Sequence, residues 1–447
     1  MPVSPARATA FNILLSVEEQ DSYAADLLHS NRCAVLSEVD QGLATELVMG
    51  VLRWQSVLDQ AISSVSSQSL TRLDTEVLIA LRLGAYQLGC LDRIPARAAI
   101  HESVELVKQA RKRSAASFAN AVLRKLAVQP HLLEPQAEAL MSLQTPDAIA
   151  TTSAHPLWLV KRWVEKFGVD VTAAICSFDQ KIPTTAIRLR STSIEGELRK
   201  DGIELEPGTF LTSARRVTRG DVTKTRAYSD GRIAIQDEAS QLVAALIGTG
   251  FRILDCCAAP GGKTWSIADR NPNAKIVAVD LHARRAELLR KRVQAAHVEV
   301  VTSDIRNLPV QTLFDRVLVD APCSGTGTIA RNPEIKWRLK LEDLADLHSR
   351  QLAILQSAAM HLAPGGKIVY STCSLQAEEN ESVIEDALST NPTLKVLAVR
   401  SEFDRLRDAG ELRPTFPEET LQNGPFLRTI PGFHPCDGFF AALLQKT

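Results

Sequence analysis

Two cysteines stand where a parallel sheet would place reactive side chains. Cys323 follows the apolar run Val317–Val319, and Cys373 follows the apolar run Lys367–Tyr370. The carboxyl ends of parallel strands meet at one edge of a sheet, and functional side chains collect in the loops that follow them. Because a thiolate is a strong nucleophile, either cysteine is a candidate for covalent chemistry at this edge. The residues alone do not rank the two thiols.

Acidic residues follow the same predicted strands. Asp255, Asp280 and Asp320 each end an apolar run, and Asp304 follows a further run after two polar residues. One aspartate at a strand end is usually a helix cap or a turn residue. Four at successive strand ends would line one rim of the sheet with acceptors for ribose hydroxyls and an adenine amine, so the pattern predicts a nucleoside site.

The loop after the first of these strands narrows the choice of cofactor. It reads Asp-Cys-Cys-Ala-Ala-Pro-Gly-Gly-Lys-Thr over residues 255–264, and its small residues allow a ligand to approach the backbone at a helix start. A phosphate-binding P-loop needs a glycine where Cys257 stands, and the dinucleotide pattern G-x-G-x-x-G is absent. S-adenosylmethionine, which carries no phosphate, remains as the predicted cofactor.

A thiolate beside a sulfonium methyl donor permits one particular reaction. Carbon 5 of cytosine is a poor nucleophile, but thiolate addition at carbon 6 turns the ring into an enamine whose carbon 5 attacks a methyl group. Asp320 can bond the Watson–Crick edge of the base, and Lys263 or a helix N-terminus can lower the pKa of a thiol. The base must leave its stack to reach such a site.

The elements that position these residues form an α/β domain. After Asp230, short apolar runs alternate with helical stretches, which is typical of a doubly wound sheet. The predicted strands are Phe251–Leu254, Ile276–Val279, Val298–Val301, Val317–Val319, Lys367–Tyr370 and Phe439–Leu444.

The preceding half of the chain has a different pattern. From Ala6 to about residue 128, apolar residues recur at helical spacing, and Gly84 and Gly89 stand where helices could approach closely. We therefore predict a helix bundle over residues 1–140, a linker and small, mildly basic α+β lobe over 141–230, and the α/β domain over 231–447. One edge of the bundle is basic and suits either RNA contact or a solvated face, through Lys108, Arg111, Lys112, Arg113, Arg124 and Lys125.

The composition excludes several classes of protein. The 51 Lys and Arg nearly balance the 52 Asp and Glu, and 45% of the residues are hydrophobic, which is typical of a globular protein. No apolar run is long enough for a bilayer, and the first residues lack the apolar core of a signal peptide. We expect a cytoplasmic protein. The eight cysteines contain no C-x-x-C pair, so neither a zinc ribbon nor any other metal site is predicted.

Short motifs in the helical region resemble a known RNA-binding fold. They are Arg82-Leu-Gly-Ala-Tyr-Gln-Leu, Leu91-Asp-Arg-Ile-Pro-Ala and Phe118-Ala-Asn-Ala-Val-Leu-Arg. The region is similar to the helical domain of the antitermination factor NusB, in the version fused to bacterial ribosomal RNA methyltransferases. That resemblance implies RNA binding; the periodicity alone implies only a bundle.

The α/β region resembles the RNA (cytosine-5)-methyltransferase family of the Sun, Nop2 and NSUN type, and the whole chain resembles its bacterial 16S ribosomal RNA branch of the Fmu or Sun type. The motifs are Cys257-Ala-Ala-Pro-Gly-Gly-Lys263, Val279-Asp280, Ser303-Asp304, Asp320-Ala-Pro-Cys-Ser-Gly325, Arg331-Asn-Pro-Glu-Ile-Lys-Trp337, Ser371-Thr-Cys-Ser374 and Asp437-Gly-Phe-Phe440. The implied fold is a seven-stranded, Rossmann-like class I methyltransferase domain.

The resemblance also ranks the site residues. It implies that Cys373 is the nucleophile and that Cys323 acts in product release, with Asp320 and Lys263 also catalytic. The cofactor-binding residues that it implies are Cys257, Ala258, Ala259, Pro260, Gly261, Gly262, Lys263, Asp280, Asp304 and Asp320. The implied substrate is a cytosine of 16S ribosomal RNA or of a small-subunit assembly intermediate, acted on by a monomer.

Other functions remain open at this point. The same chemistry on a transfer RNA is the nearest alternative, and a non-catalytic RNA-binding assembly factor is a second. An NTPase is disfavoured by Cys257, and a zinc deaminase by Thr326 where P-C-x-x-C needs a second cysteine. Residues 331–340 hold four cations around Trp337, which suits either RNA contact by stacking and charge or the start of a helix.

Overall fold

The computed structural model describes residues 3–20, 22–133 and 137–447. Its contacts divide the chain into two units. The helical unit comprises Met1–Ile182 together with Ile329–Arg338, and the sheet unit comprises Pro183–Thr328 together with Leu339–Thr447. Each unit is described by itself.

The helical unit is a bundle with one dominant core. Its first ten helices are α1 (Pro5–Gln20), α2 (Ala24–Leu28), α3 (Asn31–Ala34), α4 (Glu38–Val65), α5 (Thr75–Cys90), α6 (Ala96–Gln109), α7 (Ala116–Ala127), α8 (Pro146–Thr152), α9 (Leu157–Phe167) and α10 (Val169–Asp179). Ser37 is the N-cap of the long helix α4. Its hydroxyl accepts from the Asp40 backbone N–H and so caps the first turn. Buried apolar side chains from α1, α4, α5 and α7 meet in the core.

Two glycines of α5 mark close approaches, as the sequence predicts. A Cβ at Gly84 would lie 2.7 Å from a methyl group of Leu123, and a Cβ at Gly89 would lie 2.2 Å from the Cβ of Leu133. A third close approach, which the sequence analysis missed, brings Gly50 of α4 against the ring of Tyr86. Each glycine therefore lets neighbouring backbone or side chains pack closer than a larger residue would allow.

Residues 141–182 belong to the helical unit, so the unit boundary lies at Ile182 and differs from the predicted boundaries at 140 and 230. A buried bond joins this segment to α4, since the Gln180 amide donates to the Arg53 carbonyl oxygen. Pro146, the first residue of α8, and Pro156, directly before α9, stand at helix starts within one unit rather than between domains.

The sheet unit begins with a small lobe. Strands β1 (Thr185–Leu189), β2 (Glu204–Pro207), β3 (Ala214–Arg219) and β4 (Ile233–Ile235) form an antiparallel sheet in the order β2-β3-β1-β4. Helices α11 (Glu195–Lys200) and α12 (Arg226–Ser229) accompany it, and apolar residues such as Ile187, Leu198 and Ile233 form its core. The α+β lobe that the sequence predicts is present within residues 183–235.

The rest of the sheet unit is the predicted α/β domain. Its helices are α13 (Glu238–Leu246), α14 (Gly262–Arg270), α15 (Ala283–Arg292), α17 (Asp343–Met360), α18 (Glu381–Thr390), α19 (Arg400–Asp408) and α20 (Glu418–Leu421), while α16 (Ile335–Arg338) lies in the helical unit. Its strands are β5 (Arg252–Asp255), β6 (Lys275–Asp280), β7 (Val298–Thr302), β8 (Phe314–Asp320), β9 (Leu362–Thr372), β10 (Leu394–Leu397), β11 (Gln422–Asn423), β12 (Phe426–Arg428) and β13 (Phe440–Lys446).

The large sheet is mixed. Strands β7-β6-β5-β8-β9 are parallel neighbours, and β13 pairs antiparallel with β9. All six predicted strands are present. The sheet has nine strands in the part of the chain that the structure describes, not the seven expected, because the short hairpin β11–β12 adds two strands beside β13. Those two strands contain only two and three residues, too few for a periodic signal.

Candidate active site

The two cysteines meet at the carboxyl edge of β8 and β9. The Sγ atoms of Cys323 and Cys373 lie 3.4 Å apart, and both residues are half-buried. The strands beneath them pair in register, with Asp320 opposite Ser371. The backbone N–H of Gly327 donates to the Cys373 carbonyl oxygen at 2.9 Å, which ties the two loops together. The sequence predicted that the two thiols share one rim, and the structure confirms their proximity.

The contact between the sulfurs affects the Cys323 thiol. The hydrogen bond to Cys373, together with burial, raises the pKa of the Cys323 thiol well above its ordinary value, which favours its protonated form. Either sulfur can be the donor in the 3.4 Å contact, so the assignment of the nucleophile to Cys373 stays a prediction.

A half-buried ion pair lies on the same rim. The Lys263 amine donates to Asp320 at 2.7 Å, and the Ser371 hydroxyl donates to the other oxygen of Asp320 at 2.8 Å. Burial disfavours the charged amine, but Asp320 outweighs that effect, so the pKa of Lys263 is raised. The nearby sulfur of Cys373 contributes in the same direction. The two residues predicted to be catalytic beside the thiols are thus bonded to each other.

The predicted cofactor loop makes a tight turn. Gly261 precedes α14 with φ of +102°, and a Cβ there would lie 2.7 Å from a methyl group of Leu289. Only glycine fits this position, because the conformation and the space both exclude a side chain. The guanidinium of Arg285 fixes the turn from outside by donating to the Ala259 carbonyl oxygen at 2.9 Å.

The strand-end acids have different surroundings. Asp280 accepts from the backbone N–H groups of Ala259 and His282, which ties the end of β6 to the cofactor loop. Asp304 is bonded to Arg306, which holds the pKa of that carboxyl below its ordinary value. Asp255 is buried, and burial raises its pKa to about 7 even though the Thr264 hydroxyl bonds it. The cofactor contacts of Asp280 and Asp304 remain predictions.

The rim fits a cationic nucleoside better than a phosphate. Its carboxylates end the strands β8, β5 and β6, which are neighbours in that order, or follow β7 beside them, and its lysine is already neutralised by Asp320. A polyphosphate would meet net negative charge there, whereas a sulfonium would be attracted. Among the residues that the structure describes, one oxygen of buried Asp255 and one of buried Gln236 have no hydrogen-bond partner, so acceptors remain in the loop and beside it.

Sequence analysis missed one buried acid at this site. Glu379 is fully buried and accepts from Ser324 and Ser374, the residues that directly follow the two cysteines. In the sequence it stands between Glu378 and Glu381 just before α18, where acids are expected simply because they stabilise a helix N-terminus. No spacing signal separated it from its neighbours.

Three side chains of residues 331–340 are hydrogen-bonded within the helical unit, so RNA contact by this segment stays a prediction. The buried amine of Lys336 donates to the Arg53 carbonyl oxygen, and the Trp337 indole donates to the Leu52 carbonyl oxygen. The guanidinium of Arg338 donates to Val17 at 2.6 Å. Short helix α16 does begin here, so the alternative interpretation as a helix start is the better one.

Within residues 3–20, 22–133 and 137–447, no helix has both the length and the apolar character to cross a bilayer. In the same ranges, no three potential metal-ligating side chains gather into a cluster.

Comparison with known proteins agrees with the fold. Residues 248–445 match the family model of the 16S rRNA methyltransferase RsmB/F, and residues 4–128 match the NusB family. A probable ribosomal RNA small subunit methyltransferase B of Bacillus subtilis is 32% identical over the full length of both chains. A ribosomal RNA small subunit methyltransferase B of Pseudomonas syringae is 33% identical, covering 91% of this chain and 89% of its own.

A solved structure extends the likeness to three dimensions. The crystal structure of PH0851 superposes with a TM-score of 0.80 at 25% identity, and the match covers 100% of both chains. The expected resemblance to the Sun-type methyltransferases and to NusB is thereby confirmed, as is the multidomain fold class. The chain belongs to the RsmB/F family of ribosomal RNA small subunit methyltransferases and carries an N-terminal NusB-family region.

Proposed function

We propose that this chain methylates carbon 5 of a cytosine in 16S ribosomal RNA through a transient covalent bond from Cys373 to carbon 6 of the base. The observation that carries the proposal is the 3.4 Å pair of thiols at the carboxyl edge of β8 and β9, on a rim whose neighbouring strands end in carboxylates. Family membership supplies methyl transfer to small-subunit RNA. The thiol pair supplies a reason for the choice of carbon 5.

The first step belongs to Cys373. Its thiolate adds to carbon 6 of the cytosine, and the electron pair of the C5–C6 double bond becomes available at carbon 5 for bonding to the methyl group. S-adenosylmethionine, when bound by the loop of residues 257–263 and the acids after β6 and β7, supplies that methyl group.

Asp320 and Lys263 hold the base during addition. The Asp320 carboxylate accepts from Lys263 and Ser371, which fixes its position at the end of β8. A carboxylate so placed can bond the Watson–Crick edge of cytosine and favour a proton on nitrogen 3, which draws electron density from carbon 6. Replacement of Lys263 or Asp320 would leave the charge of the other residue without its ion-pair partner.

Release requires that two bonds break. The proton on carbon 5 passes to a base, its electron pair restores the C5–C6 double bond, and the sulfur of Cys373 leaves carbon 6 as a thiolate. A donor beside that sulfur stabilises the departing charge. The Cys323 thiol, 3.4 Å away and held in its protonated form, is such a donor.

The RNA would also contact the helical unit. A groove of about 710 Å³ between α6 and α7 is lined by Arg97, His101, Lys108 and Arg124. Cations spaced along a groove suit the phosphates of a folded RNA. We expect the chain to act in the cytoplasm, on ribosomal RNA or on an assembling small subunit. A transfer RNA cytosine is the second candidate, since the proposed chemistry at the rim is the same for any cytosine.

The experiment that tests the covalent step uses Cys323→Ala. With the release donor removed, the variant should accumulate a protein–RNA adduct when mixed with 16S RNA and S-adenosylmethionine, visible as a slow band on a denaturing gel. The double variant Cys323→Ala/Cys373→Ala is the control and should give no band. Absence of a band from the single variant, under conditions where the wild type turns over, would contradict the mechanism.

Bisulfite sequencing of ribosomal and transfer RNA from a strain lacking the gene separates the two substrates.

A further inference from the structure

One buried carboxylate bonds both cysteine loops. Glu379 is fully buried. Its Oε1 accepts from the Ser324 backbone N–H at 2.7 Å and from the Gln351 amide at 2.9 Å. Its Oε2 accepts from the Ser324 hydroxyl at 2.5 Å and from the Ser374 hydroxyl. Because Ser324 follows Cys323 and Ser374 follows Cys373, the acid joins the two reactive loops.

The four bonds suit a carboxylate. A carboxylate offers about four acceptor positions and no donor, which matches the four donors that point at Glu379. A glutamine of the same shape would turn an NH2 group either toward the Ser324 backbone N–H or toward the two serine hydroxyls, so at least one of the present bonds would be lost or reversed. Burying such a charged group is costly unless it is fully hydrogen-bonded, so the arrangement is specific rather than incidental.

The two loops depend on Glu379 to different degrees. The loop of Cys373 has other ties: the Asn380 amide donates to the Ser374 carbonyl oxygen at 2.8 Å, and the Ser374 backbone N–H donates to the Thr372 hydroxyl. The Cys323 loop is also tied elsewhere, by the Gly327 N–H on the Cys373 carbonyl oxygen and by the Gln351 amide on the Pro322 carbonyl oxygen. Ser324 nevertheless uses both its backbone N–H and its hydroxyl on Glu379, whereas Ser374 uses only its hydroxyl. We therefore expect loss of the carboxylate to loosen the residue beside Cys323 more than the residue beside Cys373.

We propose that Glu379 is a positioning residue that holds the thiol of Cys323 against the sulfur of Cys373, and that its main contribution is to product release. The inference rests on the proposed function, because it assigns Glu379 to the step in which the Cys373–C6 bond breaks. In that step the carbon 5 proton goes to a base, the C5–C6 double bond re-forms and the Cys373 thiolate departs toward the Cys323 S–H. Glu379 itself touches neither RNA nor cofactor in this scheme.

The charge of Glu379 acts in the same sense as its geometry. After the Cys373 hydrogen bond, burial and the charge of Cys373, the negative charge of Glu379 is a further cause that raises the pKa of Cys323. It thus helps to keep the proton on the sulfur that must donate it. Glutamine at this position would remove that charge.

The test compares Glu379→Gln with Glu385→Gln as the matched control. Glu385 lies exposed on α18, a short distance along the same segment, and should tolerate the change. In single-turnover reactions with 16S RNA and S-adenosylmethionine, we expect Glu379→Gln to form the adduct at a near-normal rate. Its release should slow about a hundredfold, the effect of a misplacement of about 1 Å. Cofactor affinity, measured by calorimetry, should stay within about twofold of the wild type, since no cofactor residue moves.

A second variant keeps the test valid if Glu379→Gln does not fold. Ser324→Ala removes one hydroxyl bond to Glu379 and leaves the carboxylate in place; it should slow release about tenfold, again without slowing adduct formation. Release at the wild-type rate in both variants would overturn the inference. Equal slowing of formation and release would also overturn it, because that result describes a general structural role.

The outcome for this inference differs from that for the proposed function. If Cys323→Ala traps an adduct while Glu379→Gln and Ser324→Ala release RNA normally, the covalent mechanism stands and only the role of Glu379 fails. If Cys323→Ala traps nothing, the covalent mechanism fails first, and the positioning role falls with it.

Discussion

Two lysines, each from a motif of the α/β region, have opposite surroundings. Lys263 lies on the rim of the sheet unit, where Asp320 pairs with it and its pKa is raised. Lys336 lies in the helical unit, where its amine donates to the Arg53 carbonyl oxygen and burial lowers its pKa to about 7. The charge of Asp179 offsets only part of this lowering of the Lys336 pKa, and the charge of Arg53 lowers it further.

The difference shows what a motif can and cannot predict. At the rim, the acid that neutralises Lys263 ends the neighbouring strand β8, so the strand pattern brings the two together. The partner of Lys336 lies 283 residues earlier, in α4. A cation in a loop sequence therefore indicates a ligand site only where the predicted topology also supplies its counter-charge. At residues 335–338 the same residue types attach the segment to a bundle instead.

The largest expected effect concerns the rim. Cys373→Ala removes the nucleophile, so methyl transfer should fall roughly a thousandfold or more. Cofactor affinity should be largely unchanged, since the loop of residues 257–263 is intact. The control is Cys90→Ala, a half-buried cysteine in the helical unit, which should retain most of the activity. Substantial methyl transfer by Cys373→Ala would contradict the proposed catalytic role of this rim.

The second prediction sharpens the contrast between the lysines through pH. Between about pH 7 and the ordinary lysine value of 10.5, an unfolded chain keeps the Lys336 proton while the folded chain has lost it. Stability due to this group must therefore rise with pH across that window, by roughly 2 kcal/mol between about pH 7 and pH 9. The raised pKa of Lys263 gives no such rise there, because both states hold the proton.

Urea denaturation measures this contrast directly. The free energy of unfolding of the wild type minus that of Lys336→Met should increase as the pH rises from about 7 to 9. The corresponding difference between the wild type and Lys263→Met should stay constant over the same range. Each difference cancels the other titrating groups. If the two differences in unfolding free energy changed with pH in the same way, the result would contradict the opposite environments assigned to the two lysines.

The smallest expected effect concerns RNA. Because Lys336, Trp337 and Arg338 are occupied by the helical unit, we expect the phosphate contacts to come from the groove between α6 and α7. Arg97→Ala and Arg124→Ala should each weaken RNA binding a few-fold and reduce the slope of log affinity against log salt by about 1. Lys112→Ala is the control, since Asp74 and Glu76 already neutralise that amine. Equal effects of all three substitutions would argue against the groove.

Sequence predicted the architecture of the site better than its internal support. The six predicted strands of the large sheet, the small-residue loop before α14 and the shared rim of Cys323 and Cys373 follow from local patterns. These features depend on runs of neighbouring residues, which a sequence displays directly. Glu379 escaped prediction because its role comes from bonds to residues up to 55 positions away. Likewise, nothing local in residues 331–340 distinguishes cations that meet carbonyl oxygens from cations that meet phosphates.

The central claim is that Cys373 bonds to the base, and peptide mapping of the trapped adduct tests it most directly. The Cys323→Ala variant would be reacted with 16S RNA and S-adenosylmethionine, digested with nuclease and protease, and analysed by mass spectrometry. The account predicts a methylated cytidine nucleotide attached to the peptide that contains Cys373. A nucleotide attached at any other residue, or an adduct whose base carries no added methyl group, would contradict it.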